Sequence, residues 1–393
     1  MLSSRMVELG NKRSTIREIF EYGKQRAAVV GRENIFDFSL GNPNVPAPQA
    51  VEDQMIRLIT EEDTVRLHEY TSAQGDADVR SRIAGSLNRK FGTDFTGNNL
   101  YLTCGAAASL CICFNALAEP GDEMITFAPY FSEYKVFVEQ SGAKLRVVPA
   151  DIETFQINFS AFERFINPRT KAVIVNSPNN PSGAVYSEET IKQLADILSI
   201  YSKKYGHAIY LISDEPYRDI SYGVKVPYLT KYYDNTLVCY SYSKSLSMPG
   251  ERIGFIVVPD AIEDFPNTYA AVCGAGRALG YVCAPALFQR VVAVCEGKTA
   301  DISIYRRNRD LLYNSLTEMG YTCVKPDGAF YLFPRSLEED AAAFCENAKK
   351  FDLLFVPGDD FGTPGHVRIA YCVQTSMIER SLPAFEKLAA LYK

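Results

Sequence analysis

The amino-acid sequence predicts an α/β protein, with a mostly parallel sheet in a large domain and a second, smaller α+β domain. Over residues 48–285, short apolar runs alternate with helix-like segments, which is the pattern of a parallel sheet covered by helices on both faces. From residue 286 onward, longer helical stretches mix with short strands. The chain has 393 residues, 47% of them hydrophobic. This is more than one simple core usually covers, so two domains are expected.

Seven apolar runs, rich in Ile, Val, Leu, Tyr and Phe, are the candidate strands of the large domain. They are Leu100–Cys104, Glu123–Phe127, Lys144–Val148, Lys171–Asn176, Ala208–Ser213, Thr236–Tyr240 and Arg252–Val258. Runs of this composition are typical of strands buried on both faces. In open sheets of this kind, ligands bind beyond the carboxyl ends of the strands. Four of those ends carry glycine or polar residues, at Gly105, 176–183, 214–217 and 241–244, so the sequence predicts one shared site there.

The smaller domain is predicted from residues 286–393 together with residues 1–47. A long helix or helix pair is expected over Ala286–Glu318, followed by a mixture of strands and helices over Gly320–Phe333, Ala341–Phe351, Leu353–Cys372 and Ser376–Tyr392. Near the start of the chain, Ser14 to Arg26 is predicted to be helical and Phe36 to Pro48 extended. We expect this N-terminal stretch either to pack against the smaller domain or to cross to a partner subunit.

Composition argues against several classes of function. A formal net charge of −6 with 22% charged residues disfavours a non-specific nucleic-acid surface. Apolar runs stay short of a membrane span and the first residues lack the pattern of a signal peptide, so we expect a cytoplasmic protein. Ten cysteines form no C-x-x-C pair, as expected of free thiols in a reducing compartment. Three scattered histidines indicate no metal site, and proton transfer then falls to another residue type, which favours lysine.

The segment 241–254 brings serines, a lysine, a turn and an arginine together. The amine of Lys244 can form a Schiff base with an aldehyde cofactor, while Ser241, Ser243 and Arg252 can hold a phosphate group. The combination predicts a covalently anchored pyridoxal phosphate. A solvated loop of Lys and Arg is the alternative for such a segment taken alone.

Asp214 ends an apolar strand, where a carboxylate has no packing role. A buried aspartate keeps a pyridinium nitrogen protonated, and the protonated ring then withdraws electrons from a carbanion at the α carbon of a substrate. Tyr217, three residues further on, is placed to reach the phenolic oxygen of the same ring. Capping of a helical turn by Asp214 is the competing interpretation.

Other polar and aromatic residues complete the candidate site. The side chain of Asn180 can donate to the phenolic oxygen or to a substrate carboxylate, although its Asn-Pro-Ser-Gly context is also typical of a plain turn. Backbone amides after Gly105, where a helix starts, can bind phosphate, and small residues there also suit helix packing. Phe131 can stack on an aromatic ring or belong to the core. Arg368 can form a bidentate pair with a substrate α-carboxylate or a structural ion pair.

With these residues in place, the sequence resembles the fold type I pyridoxal phosphate enzymes, and specifically the class I/II aminotransferases of the aspartate aminotransferase type. Eight markers occur in family order over nearly the whole chain: Gly41, Tyr70, Gly105-Ala106-Ala107, Phe131, Asn180-Pro181-Ser182-Gly183, Asp214 with Tyr217, the Lys244–Arg252 segment, and Arg368. The resemblance implies a seven-stranded sheet with one antiparallel strand and a small domain that closes on substrate. It also implies a homodimer with shared active sites.

The resemblance further implies a role for each marker. Lys244 forms the internal aldimine and moves the proton between the α carbon and the cofactor, and Asp214 holds the ring nitrogen. The remaining roles are phenolic-oxygen contacts from Asn180 and Tyr217, ring stacking by Phe131, phosphate binding by Ser241, Ser243, Arg252 and the amides of Ala106 and Ala107, carboxylate binding by Arg368, Asn180 and the Gly41 amide, and a phosphate contact from Tyr70 of the partner subunit.

The expected activity is transfer of an amino group from an L-amino acid to a 2-oxo acid by ping-pong kinetics. A pyridoxal phosphate-dependent carbon–sulfur β-lyase on the same fold is an alternative, because the same carbanion can eject a β substituent. A non-catalytic effector domain that binds the cofactor is a third. Aspartate-selective relatives use a second arginine, and Arg277 does not match their spacing well. Nearby aromatics such as Tyr281 and Tyr22 make an aromatic or aliphatic substrate equally admissible. The chain has no Trp, so Phe131 stands where relatives often carry Trp or Tyr.

Overall fold

The computed structural model describes residues 2–11 and 15–393. Its helices are α1 Ser4–Asn11, α2 Thr15–Val30, α3 Gln49–Glu61, α4 Thr64–His68, α5 Ala77–Phe91, α6 Ala106–Leu117, α7 Glu133–Gln140, α8 Phe159–Phe165, α9 Glu188–Tyr205, α10 Tyr242–Ser245, α11 Phe265–Ala278, α12 Ala286–Cys295, α13 Ser303–Glu318, α14 Ala341–Lys349 and α15 Thr375–Ala390. Its strands are β1 Phe36–Asp37, β2 Leu100–Thr103, β3 Glu123–Phe127, β4 Lys144–Val148, β5 Thr170–Asn176, β6 Tyr210–Asp214, β7 Thr236–Ser241, β8 Gly254–Val257, β9 Tyr331–Leu332, β10 Leu353–Leu354, β11 Val356–Pro357 and β12 Val367–Ala370.

A seven-stranded sheet in the order β2-β8-β7-β6-β5-β3-β4 forms the centre of the large domain. Strand β8 runs antiparallel to both of its neighbours, and the remaining pairs are parallel. The predicted fold class, including the one antiparallel strand, is therefore confirmed. Each of the seven predicted strands is found within two residues of its expected ends.

Helices cover both faces of this sheet, which explains why its central strands are mostly apolar on both faces. Along β5, Ala172 and Ile174 belong to a core that includes residues of α6 and α11. The alternate residues Val173 and Val175 belong to a second core, which includes residues of α8 and α9. Because successive side chains of a strand point to opposite faces, a strand between two helix layers requires apolar residues at every position.

A second, smaller set of strands and helices lies beside the large sheet. Strands β11, β12 and β9 form an antiparallel sheet, and β1 pairs in parallel with β10. Helix α2 packs here too, because Arg26 forms an ion pair with Asp352 at 2.7 Å and Gly23 leaves space for Leu354. The N-terminal stretch therefore packs against the smaller domain within the protomer. Ser14, the first residue of the predicted N-terminal helix, lies outside the described residues.

The proposed domain boundaries assign residues 48–285 to the large domain, and residues 1–47 with 286–393 to the small domain. Pairing of β1 with β10 supports grouping the N-terminal stretch with the small domain. Helix α12, however, contributes Val291 and Val292 to the core that contains Val51 and Leu58 of α3. This packing favours a boundary after Cys295 rather than after residue 285. No helix in the described ranges is both long and apolar enough to cross a membrane.

Candidate active site

A cavity of about 300 Å³ lies beyond the carboxyl ends of β5, β6 and β7, between the large sheet and the small domain. Every predicted site residue except Tyr70 contributes to its wall, namely Gly41, Ala106, Ala107, Phe131, Asn180, Asp214, Tyr217, Ser241, Ser243, Lys244, Arg252 and Arg368. The wall is completed by Ile16, Leu110, Asn176, Pro216, Pro249 and Tyr331. The side chain of Tyr70 is 85% exposed on the protein surface. The structure thus brings residues from both domains and from the N-terminal helix into one site.

Lys244 lies in the short helix α10, directly after β7. The hydroxyl of Ser241 caps this helix by accepting a hydrogen bond from the Ser243 amide at 3.2 Å, which turns the chain so that Lys244 faces the cavity. Its Nζ donates to the carbonyl of Gly41 at 2.8 Å. Burial, with smaller effects from the positive charges of Arg252 and Arg368, lowers the pKa of Lys244 to about 8, against an opposing effect of Cys372. A neutral, nucleophilic amine is therefore accessible near neutral pH.

Asp214 stands at the end of β6 and is buried. Its Oδ2 accepts hydrogen bonds from the hydroxyl of Tyr134 and from the amide of Asn176, the latter at 3.4 Å. Its Oδ1 has no hydrogen-bond partner among the described residues. Burial, with a smaller contribution from the charge of Glu215, raises the pKa of Asp214 to about 7, and the Tyr134 hydrogen bond opposes this rise. The partners of Asp214 are the side chains of Tyr134 on α7 and Asn176 at the end of β5, and not the backbone amides of a helical turn, so the helix-cap interpretation is not realised.

Hydroxyl groups, an arginine and a helix start converge at one end of the cavity. The hydroxyls of Ser241 and Ser243 lie 2.7 Å apart, and Arg252 Nη1 lies 3.4 Å from the Ser243 hydroxyl. Gly105, with φ 91°, precedes α6, and a Cβ at this position would lie 2.8 Å from Arg252 Nη2. Glycine therefore lets the guanidinium approach the start of α6, where the first backbone amides have no partner within the helix. Such a group of donors is suited to a phosphate dianion.

Arg368 and Asn180 form the opposite end of the cavity. Arg368 is 2% exposed, its Nη1 donates to Asn180 Oδ1 at 3.2 Å, and its Nη2 donates to the Ser39 carbonyl at 2.5 Å. Within residues 2–11 and 15–393, Arg368 Nε has no hydrogen-bond partner and the Arg368 side chain forms no ion pair. A buried guanidinium without a counterion favours an anionic ligand over the structural ion pair.

Sequence reasoning missed several residues of the site. Tyr134 lies on α7, three residues after Phe131, and its hydroxyl donates to Asp214. Nothing in the sequence distinguishes it from a tyrosine of the core. Tyr331 comes from β9 of the small domain, and its hydroxyl lies 2.8 Å from that of Tyr217. Asn176 belongs to the predicted polar run but was not singled out. The exposed Arg277 does not contribute to the cavity wall.

The donor set agrees with the chemistry of pyridoxal phosphate. A lysine of lowered pKa can bind the aldehyde, the partner-free Oδ1 of Asp214 can accept from a cationic ring nitrogen, and the hydroxyl, guanidinium and amide group can bind the phosphate. In the described part of the chain, no group of three or more His, Cys, Asp or Glu residues is arranged to hold a metal ion.

Comparisons with known proteins identify the family to which this chain belongs. The family model "Aminotransferase class I and II" matches residues 33–385. A probable aspartate aminotransferase of Methanocaldococcus jannaschii is 29% identical over 99% of this chain and 100% of its own length. An aspartate/prephenate aminotransferase of Thermus thermophilus is 30% identical over 88% of this chain and 89% of its own.

Solved structures give the same result. The crystal structure of an aminotransferase from Eubacterium rectale matches with a TM-score of 0.99 and 61% identity, covering 100% of this chain and 99% of that one. The aspartate aminotransferase of Thermus thermophilus with maleate matches with a TM-score of 0.87 and 26% identity, covering 99% of this chain and 100% of that one.

The lowered pKa of Lys244 predicts how its reactivity depends on pH. Only the neutral amine attacks an aldehyde, so the rate at which cofactor-free protein forms a borohydride-reducible adduct with pyridoxal phosphate should rise about tenfold per pH unit below pH 8. It should level off above about pH 8. The rate is measured by quenching with borohydride and quantifying the Lys244 peptide by mass spectrometry. A midpoint near the ordinary lysine value of about 10.4 would contradict the lowered pKa.

Proposed function

We propose, since this chain belongs to the class I and II aminotransferase family, that the cavity around Lys244 is its active site. The chain is an aminotransferase, and its family uses pyridoxal phosphate. The observation that carries the assignment is the convergence, in one cavity, of Lys244 with Asp214 Oδ1, which has no hydrogen-bond partner in the part of the chain that the structure describes. The relatives named above are aminotransferases, and none of the observations favours the β-lyase or the non-catalytic effector domain.

We assign the cofactor-binding roles residue by residue. Asp214 would hold the ring nitrogen through Oδ1, and Lys244 would hold the aldehyde carbon through Nζ. Further contacts are phenolic-oxygen donors from Tyr217 and Asn180, ring stacking by Phe131, and phosphate donors from Ser241, Ser243, Arg252, Ala106 and Ala107. Bound pyridoxal phosphate supplies an aldehyde for amine exchange and a cationic ring that withdraws electrons from the α carbon.

In this site, Lys244 also has a function in proton transfer, which its surroundings support. Burial keeps a fraction of the Nζ amine neutral near pH 7, so it can accept a proton from the α carbon of a substrate. The Gly41 carbonyl, 2.8 Å away, orients Nζ within the cavity. Asp214 is shielded from water and would carry its negative charge next to the ring nitrogen, because a cationic partner lowers a pKa that burial raises.

The substrate α-carboxylate is proposed to bind at Arg368. The Asn180 amide and the backbone amide of Gly41 stand beside it in the wall and would add donors. Gly41 cannot carry a side chain, because a Cβ there would lie 1.9 Å from the Tyr331 hydroxyl. The site therefore holds the two ends of a substrate–cofactor pair from opposite domains, and water is excluded when the domains approach each other.

We further propose a homodimer with shared active sites and a cytoplasmic location. Four large apolar side chains between residues 56 and 70 are 62–85% exposed: Ile56, Ile59, Val65 and Tyr70. Large apolar side chains exposed at several positions of one chain segment favour a protein interface there, and Tyr70 belongs to that segment. A second copy seated there would bring Tyr70 of the partner subunit toward the phosphate end of the cavity. The free cysteines agree with a reducing compartment.

The substrate side chain is proposed to be uncharged. Among the described residues of the protomer, the cations in the wall are Lys244, Arg252 and Arg368, and each already has a role. The remaining wall residues include Ile16, Leu110 and others without charge. A second carboxylate would be buried without a counterion, at a cost of several kcal/mol. The relatives carry the name aspartate aminotransferase, so this chain would differ from them in substrate.

Replacing Lys244 by alanine should abolish both transaminase activity and the borohydride-reducible lysine adduct, because no other amine faces the cavity from the described residues. Adduct formation is measured by mass spectrometry after reduction. Lys135→Ala, at an exposed lysine of α7, serves as the control and should retain both. A normal adduct in Lys244→Ala protein would show that the anchor is elsewhere.

Arg368→Lys keeps a positive charge but loses the planar guanidinium group, which can donate two parallel hydrogen bonds to one carboxylate. We expect a loss of about 1.5–3 kcal/mol in kcat/KM for amino-acid donors, which is roughly tenfold to hundredfold. Arg335→Lys, an exposed arginine of the same domain, is the matched control. Unchanged steady-state kinetics in Arg368→Lys would remove this residue from the substrate site.

L-Leucine and L-phenylalanine should exceed L-aspartate in kcat/KM by about tenfold to hundredfold when pyruvate is the common acceptor, since about 1.4–2.8 kcal/mol of uncompensated charge burial has that effect. Ile16→Ala should lower kcat/KM for L-leucine several-fold, with Ile200→Ala, an exposed isoleucine, as control. A preference for L-aspartate would contradict the proposal. If Arg277→Ala then selectively removed aspartate activity, Arg277 of the partner subunit would supply the missing cation.

A further inference from the structure

We propose that Tyr331 is a positioning residue that couples the cofactor end of the site to the carboxylate end, through its hydroxyl on Tyr217 and its ring against Arg368. The inference rests on the proposed function of the cavity. Three independent contacts of this one side chain carry it.

The first contact is the hydrogen bond between two buried hydroxyls. Tyr331 and Tyr217 are 2% and 5% exposed, and their oxygens lie 2.8 Å apart. A tyrosine hydroxyl has a single proton and can accept as well. When Tyr331 donates to Tyr217, the proton of Tyr217 is free to point at a ligand oxygen. Burial raises the pKa of Tyr331 to about 12, so both groups remain protonated donors at neutral pH.

The second contact is the stacking of aromatic rings about Arg368. Its guanidinium lies 4.9 Å from the ring centroid of Tyr331 and 4.9 Å from that of Phe361. The ring of Tyr331 is held there because Tyr331 is paired with Ala370 in the β9–β12 ladder, two residues from Arg368 along β12. Rings in this position restrict the plane of the guanidinium and favour its cationic form, which a bidentate carboxylate contact requires.

The third contact is with the chain segment around Gly41. A Cβ on Gly41 would lie 1.9 Å from the Tyr331 hydroxyl, so the backbone packs directly on this tyrosine. The same segment provides the Ser39 carbonyl for Arg368 and the Gly41 carbonyl for Lys244. Tyr331 therefore contacts the neighbours of the reactive amine as well as those of the carboxylate.

These contacts also join the two domains. Tyr331 belongs to β9 of the small domain, while Tyr217 follows β6 of the large sheet. A movement of the small domain relative to the large sheet would change the 2.8 Å distance between the two hydroxyls. A substrate carboxylate on Arg368 would thereby affect how strongly Tyr217 donates toward the cofactor, which links substrate binding to cofactor electronics.

A purely structural role is the competing explanation, since Tyr331 also belongs to the core of the small domain. The variant Tyr331→Phe separates the two. Phenylalanine retains the ring against Arg368 and nearly the same volume, and it removes only the hydroxyl. A structural residue would tolerate this change, whereas a positioning residue would alter the properties of the bound cofactor.

For Tyr331→Phe we expect the Kd for pyridoxal phosphate, measured by equilibrium dialysis, to rise roughly two- to tenfold. The pH titration of bound-cofactor absorbance should shift upward by a few tenths of a pH unit, because a weaker donor at the phenolic oxygen stabilises the anionic form less. The KM for an amino-acid donor should stay within about twofold, while kcat falls several-fold. Tyr331→Leu, which also removes the ring, should in addition raise KM about tenfold.

The matched control is Tyr371→Phe. Tyr371 is fully buried in the same domain, and its hydroxyl lies 3.4 Å from that of Tyr222, but it is not part of the cavity wall. It should leave the cofactor Kd and the absorbance titration unchanged. If Tyr331→Phe matches the wild-type protein in Kd, titration and kcat, or if both variants shift equally, the inference is overturned. If wild-type protein binds no pyridoxal phosphate at all, the proposed function itself fails instead.

Discussion

The proposed site depends on the burial of Asp214, one of whose carboxylate oxygens has no hydrogen-bond partner within residues 2–11 and 15–393. A buried carboxylate is costly unless it is compensated, and here Tyr134 and Asn176 compensate only Oδ2. The pKa of Asp214 rises to about 7 in consequence. A cationic donor at Oδ1 would offset that cost, so the surroundings of Asp214 favour a positively charged ring nitrogen.

The fold explains how the other groups reach the same cavity. Parallel strands end at one edge of the sheet, so residues following β5, β6 and β7 come together although they are far apart in sequence. Lys244 and Asp214 arrive in this way. Arg368 arrives from β12 of the small domain, and the extended segment around Gly41 lies between the two domains, giving carbonyls to both Lys244 and Arg368. The geometry of the reactive amine thus depends on the position of both domains.

Sequence reasoning was most successful where strand ends determine position. Lys244, Asp214 and Asn180 follow strands that apolar composition makes recognisable. Tyr134 and Ile16 lie on helices, where no pattern separates a site residue from a core residue, and their places depend on tertiary packing. Helix α12 illustrates the same limit, because its amphipathic pattern does not show which core its apolar face joins. The role of Tyr70 stays a prediction, since it depends on a second subunit.

The part of the site that we propose to set substrate choice is therefore the part that sequence patterns determine least. The proposed cofactor-binding part of the cavity is formed mainly by residues at the carboxyl ends of strands. Its geometry is constrained by the ring and the phosphate group of pyridoxal phosphate. The side-chain end includes Ile16 of α2, whose position follows from contacts of that helix with the small domain, including the Arg26–Asp352 ion pair. A change in the N-terminal helix can alter this wall while Lys244 and Asp214 keep their geometry. Chains with the same catalytic core can in this way differ in the amino acid that they accept.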